Sequence, residues 1–215
     1  MKRLLLGKQL QRLRKQLGSR KALLLLLIGA LLFTAIGAYA GYMSSQRLRV
    51  NPATYQPLLH LIGRAESNDN YNAYFGNAGN SRTVFTDMTI AQVLNWQRQY
   101  IRNGSASSAV GRYQFMRDTL DGLVRELGIS HEQKFTPSTQ DQLAIALLER
   151  RGSEQYVNNE LSDKEFAANL AKEWAALPRT LGDNPDASYY AGDGLNASRV
   201  EVDEVLKAIE PIGAQ

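Results

Sequence analysis

An apolar helical stretch ends in Arg64-Ala65-Glu66-Ser67-Asn68-Asp69-Asn70. Pro57 opens this stretch, and an apolar stripe with helical spacing runs along it through Leu58, Leu61, Ile62 and Ala65. Glu66 lies seven residues after Leu59 and four after Ile62, so its carboxyl shares their partly apolar face. Desolvation there and the negative end of the helix dipole both favour the protonated acid. Glu66 is therefore a candidate proton donor, with an ordinary surface Glu at a helix end as the alternative.

The same spacing predicts helices along most of the chain after position 54. Capping boxes that begin at Thr89 and Ser162 precede apolar stripes running to Ile101 and Trp174. Three more helices are expected: one with Leu120, Leu123, Val124 and Leu127 before Gly128, one from Thr136-Pro137 to near Gly152, and one with Val202, Val205, Leu206 and Ile209.

Residues 67–88 are polar and rich in Gly and Asn, and a connection of this length in a compact domain is usually functional. A possible strand at 82–85 predicts a small β-hairpin that forms one wall of a cleft, opposite the helices. Trp96 and Trp174 fit the helical periodicity and are expected in the core. The expected fold class is therefore α+β and mainly helical.

Charge is distributed very unevenly along the 215 residues. Eight basic residues precede position 22, and no Asp or Glu occurs before Glu66. Removing those eight charges from the total of +4 leaves −4 for the rest, so no basic face for nucleic acid remains. Residues 1–21 are predicted to be a basic cytoplasmic tail.

Residues 22–46 carry no charge and begin with a Leu-rich run. They predict a transmembrane helix at 22–43 that acts as a signal anchor, followed by a linker at 44–53. The basic N-terminal side would stay in the cytoplasm and the rest would be exported to the periplasm. Cleavage after Ala38-Tyr39-Ala40 and slippage of a weakly apolar anchor out of the membrane are the alternatives.

Cofactor motifs and metal-binding patterns are missing from the sequence. The chain has no Cys, and its two His residues, His60 and His131, are far apart without other ligands nearby. No nucleotide-binding glycine motif occurs either. We expect neither a cofactor nor a metal.

A second conspicuous segment is Ser108-Ala109-Val110-Gly111-Arg112-Tyr113-Gln114-Phe115. With four later blocks it resembles, in the same order, the lambda-type phage endolysins, a family of lysozyme-like lytic transglycosylases. The later blocks are Leu127-Gly128, residues 135–141, residues 149–152 and residues 174–178. The resemblance covers roughly residues 55–212 and implies a lysozyme-like peptidoglycan-cleaving domain at 54–215.

The resemblance assigns the role of catalytic acid to Glu66. It implies cleavage of the β-1,4 bond between N-acetylmuramic acid and N-acetylglucosamine, with a 1,6-anhydromuramic product. A hydrolytic muramidase would instead need a second carboxylate, about 5 Å away for retention or roughly 6.5 to 9.5 Å away for inversion. Asp69 and Asp87 are the candidates for that carboxylate. A protein that only binds or scaffolds peptidoglycan is the alternative of another class.

Further residues are candidates for substrate binding. Gly111 allows close backbone approach, while Tyr113 and Gln114 offer a stacking surface and amide hydrogen bonds. A buried helix start is the alternative for this segment. Tyr189 and Tyr190 are similar to a Tyr-rich turn late in lytic transglycosylases, and the sequence does not choose between them. Ser67 and Asp87 complete the predicted set.

The predicted partners are peptidoglycan glycan strands and the inner membrane through residues 22–43, with no nucleic acid. The expected location is the bacterial inner membrane, crossed once, with the catalytic domain in the periplasm. Phage lysis, phage infection and an envelope machine that opens the wall locally all fit these features.

Overall fold

The computed structural model describes residues 51–214, in which seven α-helices and two short 3₁₀ helices follow one another. The 3₁₀ helices are Pro52–Tyr55 and Phe85–Asp87. The α-helices are α1 (Gln56–Ser67), α2 (Ile90–Arg102), α3 (Arg117–Glu126), α4 (Pro137–Arg150), α5 (Ser153–Val157), α6 (Asp163–Ala171) and α7 (Val202–Gly213).

Local side-chain chemistry begins three of these helices where the sequence predicts. Thr89 and Ser162 each form a complete capping box at the starts of α2 and α6. The Thr136 hydroxyl accepts a hydrogen bond from the Thr139 N–H at the start of α4, and Pro137 occupies its first turn. Each cap pairs backbone donors that have no partner inside the helix. These predicted helix starts are confirmed.

Helix ends agree less uniformly with the sequence pattern. α3 ends at Glu126, just before the predicted stop at Gly128. α6 ends at Ala171, so the stripe of Phe166 and Leu170 does not continue as helix to Trp174. Trp174 is nevertheless buried, as predicted. The connecting segment that follows α6 therefore enters the core instead of running over its surface.

The hydrophobic core receives buried side chains from all seven of these α-helices. α7 packs along α1, and both helices bury an apolar face that includes Leu58, Ile62, Val205 and Ile209. α4 buries residues on several sides and packs against α3 and α5. Because α1 is fixed by this packing, the position of Glu66 in its last turn is fixed as well.

The predicted β-hairpin is wrong, and the domain is helical. Within residues 51–214 only isolated β-bridges occur, such as Tyr74 with Val110 and Val110 with Phe115. The buried Asn80 side chain donates to the Asn72 and Thr83 carbonyls and accepts from the N–H groups of Arg82 and Thr83. Side-chain hydrogen bonds of this kind satisfy backbone groups that a strand ladder would otherwise pair. The loop is therefore ordered without forming a sheet.

The membrane predictions are not supported by the structure. No helix within residues 51–214 has both the length and the apolar character needed to cross a bilayer. The predicted tail at 1–21 and transmembrane helix at 22–43 lie outside the described residues. We therefore correct the fold class to a helical domain and withdraw the single-pass inner-membrane location.

Candidate active site

A cleft of about 700 Å³ opens beside the C-terminal end of α1. One wall comes from the loop at 74–78 and from residues 106–116, and the other from residues 173–175 and 190–199. The two sides of the first wall are joined by backbone hydrogen bonds from Phe75 N to Ala109 O and from Gly111 N to Ala73 O. The asparagine-rich loop therefore shapes the cleft, although it is not a hairpin.

Glu66 lines this cleft from the last turn of α1. Its Oε1 accepts a hydrogen bond of 3.0 Å from the backbone N–H of Ala176. Burial raises the pKa of Glu66, while this hydrogen bond and the charge of Arg199 act in the opposite direction. Desolvation is the largest of the three effects, so the side chain holds its proton to a higher pH than an ordinary Glu.

Arg199 is a neighbour of Glu66 that the sequence pattern did not indicate. Its side chain lines the cleft and donates a hydrogen bond of 3.2 Å to the carbonyl of Ala65. Its backbone N–H donates to the carbonyl of Ala176, the same residue whose N–H holds Glu66. Arg199 thus joins the end of α1 to the wall that contains residues 173–175, and it places a positive charge near the Glu66 carboxyl group.

The segment from Val110 to Phe115 forms a tight turn within the first wall of the cleft. Gly111 has φ +79°, and a Cβ there would lie 2.4 Å from Oε1 of Gln140. Gly111 is therefore required by close packing, and it does not line the cleft. Gln114 does line it, with φ +50° and its amide donating to the Gly111 carbonyl.

Tyr113 is buried at the edge of the cleft. Its hydroxyl donates to Asp141 at 2.7 Å and accepts from Arg112 at 2.9 Å. Burial, followed by the hydrogen bond to Asp141, raises the pKa of Tyr113, so the phenol stays neutral. No hydrogen bond joins Tyr113 to Glu66 among the described residues. Tyr113 is therefore both a cleft residue and part of the polar network beneath it.

Asp69 belongs to the same network and does not line the cleft. Its Oδ1 accepts two hydrogen bonds from the guanidinium of Arg112, at 2.7 and 3.0 Å, and Oδ2 lies 3.3 Å from His60. Arg112 also donates to the Tyr71 hydroxyl. Because Asp69 is paired in this way, its carboxylate serves to hold Arg112 against the end of α1.

Two other predicted site residues also lie away from the cleft. Ser67 is buried, and its hydroxyl donates to the carbonyls of Gly63 and Arg112. Asp87 is exposed at the end of the second 3₁₀ helix. Neither side chain lines the cleft with Glu66.

The late Tyr pair is divided between surface and cleft. Tyr190 lines the cleft, and its hydroxyl donates to the carbonyl of Lys172 at 2.7 Å. Tyr189 packs edge-on against Tyr190 and is more exposed. The geometry thus favours Tyr190 as the cleft residue of the pair.

Glu173 is a second carboxylate in the cleft, and it was not among the predicted site residues. Its Oε2 accepts hydrogen bonds of 2.6 and 2.9 Å from the guanidinium of Arg151. The sequence did contain a signal for this pair, because Arg151 lies in one of the blocks that carry the resemblance and Glu173 lies directly before another. Within residues 51–214, no group of His, Asp and Glu side chains is arranged to hold a metal ion.

A cleft with one partly buried carboxyl group that keeps its proton is the arrangement with which glycoside-cleaving enzymes donate a proton to a leaving oxygen. A family model described as Endolysin matches residues 56–191, which is more than half of the chain. The chain therefore belongs to the endolysin family, which supports a phage origin and cell-wall degradation with peptidoglycan as the substrate. Comparisons with curated proteins and with solved structures found no significant match.

Proposed function

We propose that this endolysin is a lytic transglycosylase that cleaves the β-1,4 bond between N-acetylmuramic acid and N-acetylglucosamine. The observation that carries the proposal is the partly buried carboxyl of Glu66, whose pKa is raised by desolvation and which accepts a hydrogen bond from Ala176 N–H at the side of a cleft of about 700 Å³. Gln114 and Tyr190 supply amide and aromatic surface along the same cleft, and the buried Tyr113 lies beside them. Ser67 and Asp87 are no longer proposed as substrate contacts, because they lie outside it.

In the proposed reaction Glu66 acts twice. It first donates its proton to the glycosidic oxygen, and the bond from that oxygen to the muramic C1 breaks. The carboxylate then accepts the proton of the muramic 6-hydroxyl as that oxygen bonds to C1. The raised pKa of Glu66 favours the first step, in which the acid donates its proton. The Ala176 N–H and the charge of Arg199 stabilise the Glu66 carboxylate that is left for the second step. No water is consumed.

A hydrolytic muramidase is the second candidate, and Glu173 is the observation that favours it. Asp69 is paired with Arg112 and Asp87 lies elsewhere, so neither supports this alternative. Glu173 does line the cleft, but Arg151 holds one of its oxygens. Because Arg151 holds this oxygen with two hydrogen bonds, Glu173 serves as an ion-pair partner, and the hydrolytic mechanism therefore ranks second.

Product mass distinguishes the two reactions. Purified peptidoglycan is digested with the full chain, and the soluble muropeptides are examined by mass spectrometry. Transglycosylation gives 1,6-anhydro ends that are lighter by one water than reducing ends. Reducing ends alone would contradict the proposal and assign the reaction to a hydrolase. A Glu173→Gln variant provides the matched comparison, since only the hydrolytic mechanism needs that carboxylate.

The non-catalytic alternative is tested by Glu66→Gln. Gln keeps an oxygen that accepts from Ala176 N–H but has no carboxyl proton to donate. We expect the release of soluble muropeptides to fall by about 10²-fold or more, the scale of general acid catalysis. Equal and negligible release by wild type and variant would support a protein that only binds the wall.

A further inference from the structure

A second pocket, of about 450 Å³, adjoins the cleft and is lined by three arginines. Arg98 and Arg102 lie one turn apart on α2, and Arg117 is the first residue of α3. We call this the arginine pocket. Met116 lines both the pocket and the cleft, and the neighbouring residues Ser107 and Ser108 line the cleft and the pocket respectively. A ligand that occupies the cleft can therefore extend into the pocket across a single rim.

The charge in the arginine pocket is largely uncompensated. Among the described residues, neither Arg98 nor Arg102 forms an ion pair or a side-chain hydrogen bond. Arg117 pairs with Asp118, the only carboxylate lining the pocket within residues 51–214, and its Nε is buried without a partner. Buried N–H donors without partners are uncommon in native proteins. The pocket therefore offers two free guanidinium groups and one unused donor.

The lining also includes two exposed apolar side chains, Ile101 and Met116, besides the buried Ser108. Ile101 and Met116 are 43% and 47% exposed beside the arginines. Guanidinium groups bind carboxylates through paired hydrogen bonds, while the apolar side chains suit short aliphatic groups. The chemistry fits a short peptide that carries free carboxylates and small or aliphatic side chains.

We propose that the arginine pocket binds the carboxylates of the stem peptide attached to the lactyl group of N-acetylmuramic acid. The inference rests on peptidoglycan cleavage in the adjoining cleft. The stem peptide leaves the glycan strand at the muramic residue and carries free carboxylates, so a muramic residue bound beside Met116 would place its peptide at the rim of the pocket. The pocket thereby favours peptide-bearing strands over strands without peptides.

Binding is tested with the full-length chain carrying Glu66→Gln, which is expected to slow turnover by about 10²-fold or more. The probes are soluble glycan strands that still carry stem peptides and the same strands after an amidase has removed them. Replacing both Arg98 and Arg102 by Ala is expected to weaken binding of the peptide-bearing strands roughly three- to tenfold, as two partly exposed ion pairs would. Binding of the bare strands should not change.

Two matched variants serve as controls. Arg82→Ala removes an exposed arginine that lines neither the cleft nor the pocket, and it should leave both affinities unchanged. The double variant Arg98→Lys, Arg102→Lys keeps the charge but loses the paired hydrogen bonds, so part of the preference for peptide-bearing strands should remain. The proposal would be overturned if replacing Arg98 and Arg102 by Ala weakened the binding of both strand types equally, or weakened the binding of neither.

Failure of the pocket and failure of the catalytic proposal are distinguishable. Cleavage is measured separately with Glu66 intact. Peptide-dependent binding without cleavage would support the arginine pocket and reject the transglycosylase. Cleavage with binding that is insensitive to Arg98 and Arg102 would reject the pocket and leave the proposed reaction standing.

Discussion

At the scale of single residues, the position of Glu66 makes the activity depend on pH. Burial raises its pKa, and the charge of Arg199 lowers it again in part. A general acid works only while protonated, so kcat/KM should fall as pH rises through this raised pKa. Arg199→Ala removes the lowering charge and is expected to move the alkaline limb to higher pH. The measurement is kcat/KM for peptidoglycan as a function of pH.

Arg199→Lys is the control for that prediction, because it keeps the charge while changing the contact with Ala65. Its alkaline limb should remain close to that of the wild type. If the alkaline limb of the pH profile did not move in Arg199→Ala, Arg199 would not act on the proton of Glu66.

A second prediction at this scale concerns Gly63, on the buried side of α1. A Cβ at this position would lie 2.4 Å from Nε of Arg112 and 2.7 Å from Oδ1 of Asp69. Arg112 has little room to move because three side chains hold it. Gly63→Ala should therefore destabilise the fold by about 1–3 kcal/mol, measured by urea unfolding.

Gly122 provides the comparison, because it lies within α3 with open space where a Cβ would be. Gly122→Ala should stabilise the fold by up to about 1 kcal/mol through helix propensity alone. If both variants changed stability in the same direction, the close contact at Gly63 would not be the cause.

At the scale of elements, the sequence predicts what local chemistry decides. The capping boxes at Thr89 and Ser162 and the start of α4 at Pro137 depend on neighbours within four residues. The prediction of a hairpin was wrong because distant contacts decide that segment. The side chains of Asn80 and Asn72 bind backbone groups up to 14 residues away. A polar, Asn-rich composition does not reveal which carbonyls those amides reach.

The Asn80 contacts lead to a prediction about the whole loop. Its buried side chain makes four hydrogen bonds to the loop backbone. Asn80→Ala leaves these backbone groups without partners and should cost about 2–4 kcal/mol. Urea unfolding gives the stability, and hydrogen exchange should show faster exchange at Arg82 and Thr83. Asn103→Ala, at an exposed Asn after α2, should change neither the free energy of unfolding nor the exchange rates in the loop.

At the scale of the whole molecule, the site joins parts of the chain that the sequence keeps far apart. Glu66 and the Ala176 N–H that holds it are separated by 110 residues. Arg199 reaches Ala65 across 134 residues. The pattern around Glu66 indicates a proton donor because burial and the helix end are local. Its partners, and the pairing of Asp69 with Arg112, depend on tertiary packing and left no local signal.

α7 also supports the site from far along the chain, because it packs along α1 and lies beyond the matched residues 56–191. Ile209 is fully buried on α7, so Ile209→Ala removes apolar contacts and leaves a cavity. We expect a loss of about 2–5 kcal/mol in the free energy of unfolding. Lys207→Ala, on the exposed side of the same helix, should change it by less than about 0.5 kcal/mol. Urea unfolding measures both variants.

Muropeptide release by Ile209→Ala should also decline at a lower temperature than in the wild type, since α1 holds Glu66 in the cleft only while α7 supports it. Equal stability of the two variants would mean that α7 does not support α1, and the final segment of the chain would then be dispensable to the site.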